Sequence, residues 1–413
     1  MSLAELTAVF WRIGVLSFGG PAAQIALMHK ELVEDRPWLT EQQFLRALSF
    51  CMLLPGPEAM QLATYAGWKL RGVSGGLIAG LLFVLPGAAG IMALALGYAM
   101  LGDLPWVEAV FLGIKAAVVI IVIQALVKLT GRALRRGYHW ALAAMSFVTI
   151  YVFSLPFPLI ILAAAMIGAT LPEEQATETH TPVSHARSLR IALIWGAIWL
   201  LPLAGVYALD PGFLGPLGVF FSKLALVTFG GAYAVLAYMT QAVVGDLGWL
   251  TTAQMMDALG LAETTPGPLI LVTEFVGVLA GYQEGGVALA VIAGVVTLWV
   301  TFAPCFLWIF AGAPYIDWLA SQPRLAAALS AITAAVVGVI LNLSLWFALH
   351  VFFQELTVFP MGLGAITLPL VASLDVPALA IGLFIAYLIL VRQTPLIWAL
   401  SIAALCGLAT LVV

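Results

Sequence analysis

Ser17-Phe18-Gly19-Gly20-Pro21 and Leu54-Pro55-Gly56-Pro57 have second copies 211 positions along the chain, at Thr228-Phe229-Gly230-Gly231-Ala232 and Thr265-Pro266-Gly267-Pro268. The same register pairs Arg12 with Lys223, Asp35 with Asp246, Trp38-Leu39-Thr40 with Trp249-Leu250-Thr251, and Gln43 with Gln254. A gapless match anchored on Gly, Pro and Trp marks an internal duplication. Farther on the offset drifts to 218, where Lys115-Ala116-Ala117-Val118-Val119 meets Thr333-Ala334-Ala335-Val336-Val337 and Gln124 meets Asn342. The expected organisation is a first repeat over 1–171, a polar linker plus one connecting transmembrane helix over 172–211, and a second repeat over 212–413.

These motifs interrupt apolar sequence. Of 413 residues, 63% are hydrophobic and 9% charged, against about 25% charged in a soluble domain. Such a chain cannot cover its own surface with charge, so its solvent is lipid. Runs of bilayer length lie at 75–101, 107–129, 189–209, 285–311 and 325–348. Residues 139–171 read as a helical hairpin turning at Leu155-Pro156-Phe157-Pro158. Residues 358–391 read likewise, turning near Asp375-Val376-Pro377, and 396–413 as a last span. The expected fold class is an all-α polytopic membrane protein of two inverted repeats with broken or re-entrant helices. The first segment, with Glu5 and Arg12 and no basic leader, is expected to stay in the mature protein.

Inversion is read from charge. Of the sixteen Lys and Arg residues, eleven fall in 1–171 and three after 211. The cluster Lys128, Arg132, Arg135, Arg136 has no basic counterpart around 346–354, nor Lys69 and Arg71 around 281–284. Basic loops stay in the cytoplasm, so equivalent loops of the two repeats are expected on opposite sides. The single span 189–209 between the repeats produces that reversal.

Composition also excludes classes. A net charge of −4 gives no basic field for nucleic acid. Cys51, Cys305 and Cys406 form no close pair, so neither a disulfide framework nor a redox motif is expected. His180 and His185 sit in a polar, Thr- and Pro-rich stretch without a ligand pattern, so no metal or cofactor is expected. Gly72-Val73-Ser74-Gly75-Gly76 has the outline of a serine-hydrolase motif, yet no strand precedes it, and Ser74 reads as a helix cap. Likewise Thr40 with Gln43, and Thr251 with Gln254, match capping boxes.

The chemistry is expected at the breaks. Gly and Pro cost about 1 and 3 kcal/mol in a helix interior, and interrupted backbone at membrane depth survives only where protein buries it or water reaches it. Broken helices at matching places in two inverted halves point to a transporter's binding site. The half-helix after each break presents free N–H groups and a positive dipole end, which suits an anion. The candidate binding residues are Phe18, Gly19, Gly20, Pro55, Gly56 and Pro57 with Phe229, Gly230, Gly231, Pro266, Gly267 and Pro268. Pro57 and Pro268 fit the first helical position. Arg12 and Lys223, two turns before the Gly-Gly breaks, are the charged candidates. Glu58, Lys115, Glu263 and Glu274 are candidate ion-coupling groups, each with a structural alternative as a cap or an internal pair.

On these residues the chain resembles the chromate ion transporter family. Ser17–Gln24, Trp38-Leu39-Thr40 and Leu54–Ala63 are similar to its first-half signature, and Thr228–Val235 with Thr265–Leu269 to its second. The resemblance implies a bacterial inner-membrane transporter that exports chromate, with sulfate as its chemical look-alike. The partners it implies are that oxyanion, membrane lipid and, as one assembly, a second copy in a homodimer. An anion channel of the same fold and an intramembrane enzyme using Ser74 are the alternatives.

Overall fold

The computed structural model describes residues 2–102, 104–171, 185–229, 232–316, 322–362 and 364–411. Gly230, Gly231 and His180 lie outside them, and the side chains of His185 and Arg187 are likewise not described. In the first repeat the helices are α1 (Leu3–Leu16), α2 (Gly20–His29), α3 (Glu41–Leu53), α4 (Glu58–Leu101), α5 (Pro105–Ala133), α6 (Gly137–Tyr151) and α7 (Phe157–Thr170). After the connecting α8 (His185–Leu209) come α9 (Leu214–Leu226), α10 (Ala232–Thr240), α11 (Thr252–Thr264), α12 (Val272–Gly312) and α13 (Pro323–Phe352). The chain ends with β1 (Leu356–Met361), β2 (Gly364–Pro369), α14 (Val376–Ala386) and α15 (Leu396–Ala409). Among the described residues, five helices are long and apolar enough to cross a membrane. Together with the family established below, they make this a multi-pass membrane protein.

The duplication extends to local geometry. A π-helical turn follows α2 at Lys30–Glu34 and follows α10 at Gln241–Asp246, positions that the 211 offset superposes. Both capping boxes form: the Gln43 N–H donates to Thr40 Oγ1 at 3.2 Å and the Thr40 N–H to Gln43 Oε1 at 3.1 Å. Gln254 and Thr251 repeat this, with the Gln254 N–H to Thr251 Oγ1 at 3.2 Å and the Thr251 N–H to Gln254 Oε1 at 3.0 Å.

A straight helix of the 44 residues in α4 would run about 66 Å, twice the hydrocarbon thickness of about 30 Å. It does not run straight, because Arg71 and Gly72 leave helical geometry. The arm 58–70 folds back on the arm 73–101, with Gly67 against Gly75 and Ala79, and Thr64 against Gly76 and Gly80. In α12 the break is Gly285-Gly286, and there Gly277 and Gly281 lie against Ala293. Glycine at each crossing lets two backbones touch where a Cβ would collide.

The chain divides into two compact units, 1–99 with 172–235 and 265–326, and 100–171 with 236–264 and 327–413. Each draws on both repeats. In the second unit the terminal hairpins are exchanged. Gly168 of α7 lies on the Ala327 carbonyl and Ala331 of α13, while Gly407 of α15 lies on the Ala109 carbonyl and Gly113 of α5. Each repeat's last hairpin therefore covers the other repeat's long helix.

That symmetry corrects one expectation. Residues 358–391 are not a helical hairpin. The first part is an antiparallel β-hairpin with Leu356 opposite Pro369 and Met361 opposite Gly364, and Asp375 caps α14 by accepting from the Ala378 N–H at 2.8 Å. Pro360, Gly362, Gly364 and Pro369 oppose a helix there, whereas hydropathy alone does not separate a short strand from a helix. The counterpart of α6–α7 is α14–α15 at an offset of 239. Ser154 and Gln393 share a left-handed turn (φ 50° and 52°), and the Leu159-to-Pro156 bond recurs as Trp398-to-Pro395, both 3.0 Å. The offset thus grows from 218 to 239 across the β-hairpin, a 21-residue insertion in the second repeat.

Candidate functional site

The first unit holds the breaks. Gly19 caps α2 in left-handed geometry (φ 88°, ψ 23°) and Gly20 follows at φ 76°. Two consecutive left-handed residues are open to glycine and costly for any other. A Cβ on Gly20 would meet nothing within 4 Å, so there is open space in front of the α2 N-terminus. Gly56 and Gly267 also have positive φ, 120° and 93°, at the turns between α3 and α4 and between α11 and α12. Pro57 and Pro268 sit at the caps, one residue earlier than the expected first helical position.

The breaks of opposite repeats are bonded to each other. The Gly56 N–H donates to the Thr228 carbonyl, and the Gly267 N–H to the Ser17 carbonyl, both at 2.8 Å. These are one contact seen twice, since Thr228 and Gly267 are the register partners of Ser17 and Gly56. The hydroxyls of Ser17 and Thr228 turn back to their own helices, donating to the Ile13 and Leu224 carbonyls at 2.6 and 2.7 Å. Two glutamines brace the crossing. Gln24 Nε2 donates to the Gly267 carbonyl at 2.6 Å and the Ser17 carbonyl at 3.3 Å. Gln61 Nε2 donates to the Pro55 carbonyl at 2.7 Å. Their register counterparts, Val235 and Val272, have no amide, so the bracing belongs to one side of the crossing.

This geometry redistributes the expected anion donors. The amides of Gly56 and Gly267 are used in the crossing, and proline has none to offer. Among the described residues, the first turn of α2 behind Gly19 and Gly20 has N–H groups that lack intrahelical acceptors and open space at Gly20. Phe18 beside it is 36% exposed, and Phe229 is half-buried.

The charged candidates part ways. Arg12 Nε lies 3.4 Å from Glu31 Oε1, and Arg36 Nη1 lies 2.5 Å from Glu31 Oε2. Glu31 is 2% exposed, so Arg12 is engaged in neutralising a buried carboxylate. At the register position of Glu31 the second repeat has Ala242, and Lys223 stands exposed on α9. Lys115 Nζ lies 3.1 Å from Asp257 Oδ1 on α11, with side chains 17% and 8% exposed. Asp257 escapes the sequence reading because its register partner is Arg46 and that of Lys115 is Thr333, so the duplication does not flag the pair. Glu58 opens α4 half-buried, and Glu263 is buried. Glu274 is fully buried, and neither carboxylate oxygen has a hydrogen-bond partner among the described residues. The Ser74 hydroxyl donates back to the Arg71 carbonyl at 3.1 Å in the α4 turn, whereas a cap would accept from a first-turn N–H.

Beyond α2, His29 joins the π turn to α3. Its Nε2 lies 2.6 Å from Glu41 and its Nδ1 3.0 Å from Glu34. The hydrogen bond to Glu41 raises the imidazole's pKa above its ordinary 6.5.

The chain matches the chromate transporter family over residues 4–169 and 216–408. It is 33% identical to a probable chromate transport protein of Synechococcus elongatus over 348 residues, 82% of this chain and 83% of that one. It is 30% identical to a chromate transport protein of Cupriavidus metallidurans over 348 residues, 82% and 81% of the two chains. A chromate transport protein of Pseudomonas aeruginosa is 33% identical over 350 residues, 82% and 80%. No solved structure matches the chain.

Proposed function

The chain belongs to the chromate transporter family, and we propose that it is a secondary exporter of chromate, moving the dianion from cytoplasm to exterior across the inner membrane. The observation that carries this reading is the pair of exchanged bonds, Gly56 to Thr228 and Gly267 to Ser17. They hold two broken helices of opposite repeats against each other, leaving the α2 N-terminus beside open space. A tetrahedral oxyanion is taken there by the first-turn N–H groups behind Gly19 and Gly20, with Lys223 as the free basic charge and Arg12 as the latch on Glu31. Sulfate, of like shape and charge, is the expected competitor, because backbone donors read geometry and charge. Inverted repeats rocking about the crossing supply alternating access.

Voltage suffices as a driving force. Two negative charges leaving a negative interior gain about 4.6 kcal/mol per 100 mV, or roughly a 2000-fold gradient. The test is purified protein in liposomes under an imposed potential, offered chromate, sulfate and molybdate. Potential-driven chromate movement with trans-stimulation is expected, and its loss in Gly20→Val with folding intact. Absence of chromate flux under either sign of potential would sink the reading, and flux without trans-stimulation would make it a channel. Cysteines at 135 and 187 should label from the cytoplasm and one at 350 from outside; labelling of 135 and 350 from the same side would remove the inversion.

A further inference from the structure

Glu274 has no role in holding the oxyanion, yet it is the most conspicuous carboxyl in the first unit. It sits on the short arm of α12, fully buried, with both oxygens lacking a hydrogen-bond partner among the described residues. Hydroxyls close in sequence and space are committed elsewhere: Thr273 Oγ1 donates to the Ile270 carbonyl and Thr297 Oγ1 to the Ala293 carbonyl, both at 2.8 Å. The next residue, Phe275, packs its ring 5.5 Å from that of Tyr98. The titratable groups on the elements packed against α12 include Glu58, Lys69, Arg71 and Tyr98 on α4, Arg190 on α8 and Lys223 on α9, with Tyr282, Glu284 and Cys305 on α12 itself. Among the described residues none of them hydrogen-bonds to or ion-pairs with Glu274.

An ionised carboxylate in such a place forfeits its hydration and gains nothing in return. A proton is the smallest partner that removes the charge without moving the backbone. The other three coupling candidates differ: Lys115 is paired with Asp257, Glu58 is half-buried at a helix start, and Glu263, though buried, is not without a partner.

We propose that Glu274 is a proton-binding site of the transport cycle. It holds a proton in the arrangement described here. It gives that proton up, by breaking the carboxyl O–H bond and passing the proton to water, in the arrangement that opens the α12 arm to solvent. This rests on the transport reading above and adds proton linkage to it. Intramembrane carboxyls of this kind mark proton pathways in transporters as a class; here burial without a partner singles out one residue of the four.

The experiment compares wild type, Glu274→Gln and Glu274→Asp in liposomes, measuring chromate efflux and chromate homoexchange from neutral to alkaline pH. The amide of Gln has nearly the volume of the neutral acid and cannot release a proton. Wild-type net efflux should fall several-fold toward alkaline pH, while Glu274→Gln keeps a flat profile and retains homoexchange. Apparent melting temperature in detergent is a readout that needs no transport: wild type should lose more stability toward alkaline pH than Glu274→Gln does. A wild type indifferent to pH in both assays would overturn the proposal, as would a Glu274→Gln variant keeping the wild-type profile. Wild-type flux that requires sodium, with the requirement lost in Glu274→Gln, would overturn the proton in favour of a metal cation. If wild type moves no chromate at any pH, the transport reading has failed, and the melting profiles alone decide the proton site.

Discussion

Replacing Lys115 with Met removes the ammonium group 3.1 Å from Asp257 Oδ1, on a carboxylate that is 8% exposed. Removing one member of a buried pair costs about 3–5 kcal/mol, because the survivor keeps its desolvation penalty and loses its partner. Native stability is about 5–15 kcal/mol, so Lys115→Met should lower the apparent melting temperature in detergent steeply, and Asp257→Leu similarly. The double variant Lys115→Met, Asp257→Leu removes both charges and fills the same volume. Such replacements run from neutral to about 1–4 kcal/mol stabilising, so the double variant should melt at or above wild type. Melting curves for the four proteins form a double-mutant cycle, with liposome transport measured on each that folds. A Lys115→Met protein as stable as wild type would refute the claim that the pair is desolvated. A double variant that melts normally and does not transport would refute a purely structural role and return Lys115 to the coupling groups.

Gln24→Leu should cost about 1–3 kcal/mol, since the Gly267 carbonyl loses its 2.6 Å donor inside the crossing; melting temperature and chromate flux should both fall, and unchanged flux would detach the brace from function. His29 gives a pH dependence. Its folded pKa is raised, so its stabilisation is full below its ordinary value of 6.5 and is lost as pH rises through the raised value. The melting temperature of wild type relative to His29→Gln should decline across that window, and parallel curves would refute the linkage. Deleting residues 354–374 removes the 21-residue insertion of the second repeat and joins α13 to α14 as α5 is joined to α6. The shortened protein should insert and keep the α14–α15 hairpin on α5, as shown by a cysteine crosslink between positions 113 and 403; loss of that crosslink would refute the equivalence.

How much of this was legible follows from which patterns the chemistry imposes locally. Gly, Pro and Trp at a fixed offset exposed the duplication, and apolar length exposed the spans, because a bilayer constrains every residue of a crossing helix in the same way. The breaks and the capping boxes were readable because backbone dihedrals and first-turn hydrogen bonds depend on residues close in sequence. The β-hairpin was not, since fourteen apolar and turn-forming residues from Leu356 to Pro369 carry no period long enough to separate strand from helix. Nor was the fate of each polar group. Arg12 on Glu31, Lys115 on Asp257, Gln24 on Gly267 and the amide of Gly56 on Thr228 join residues 19 to 243 positions apart. Sequence by itself determined that this chain is a duplicated, lipid-embedded transporter-like protein with interrupted helices. Only the tertiary structure decided that the interruptions of one repeat close upon those of the other and which donors remain over, because a hydrogen bond across a fold is assigned by distance in space, which no spacing along the chain encodes.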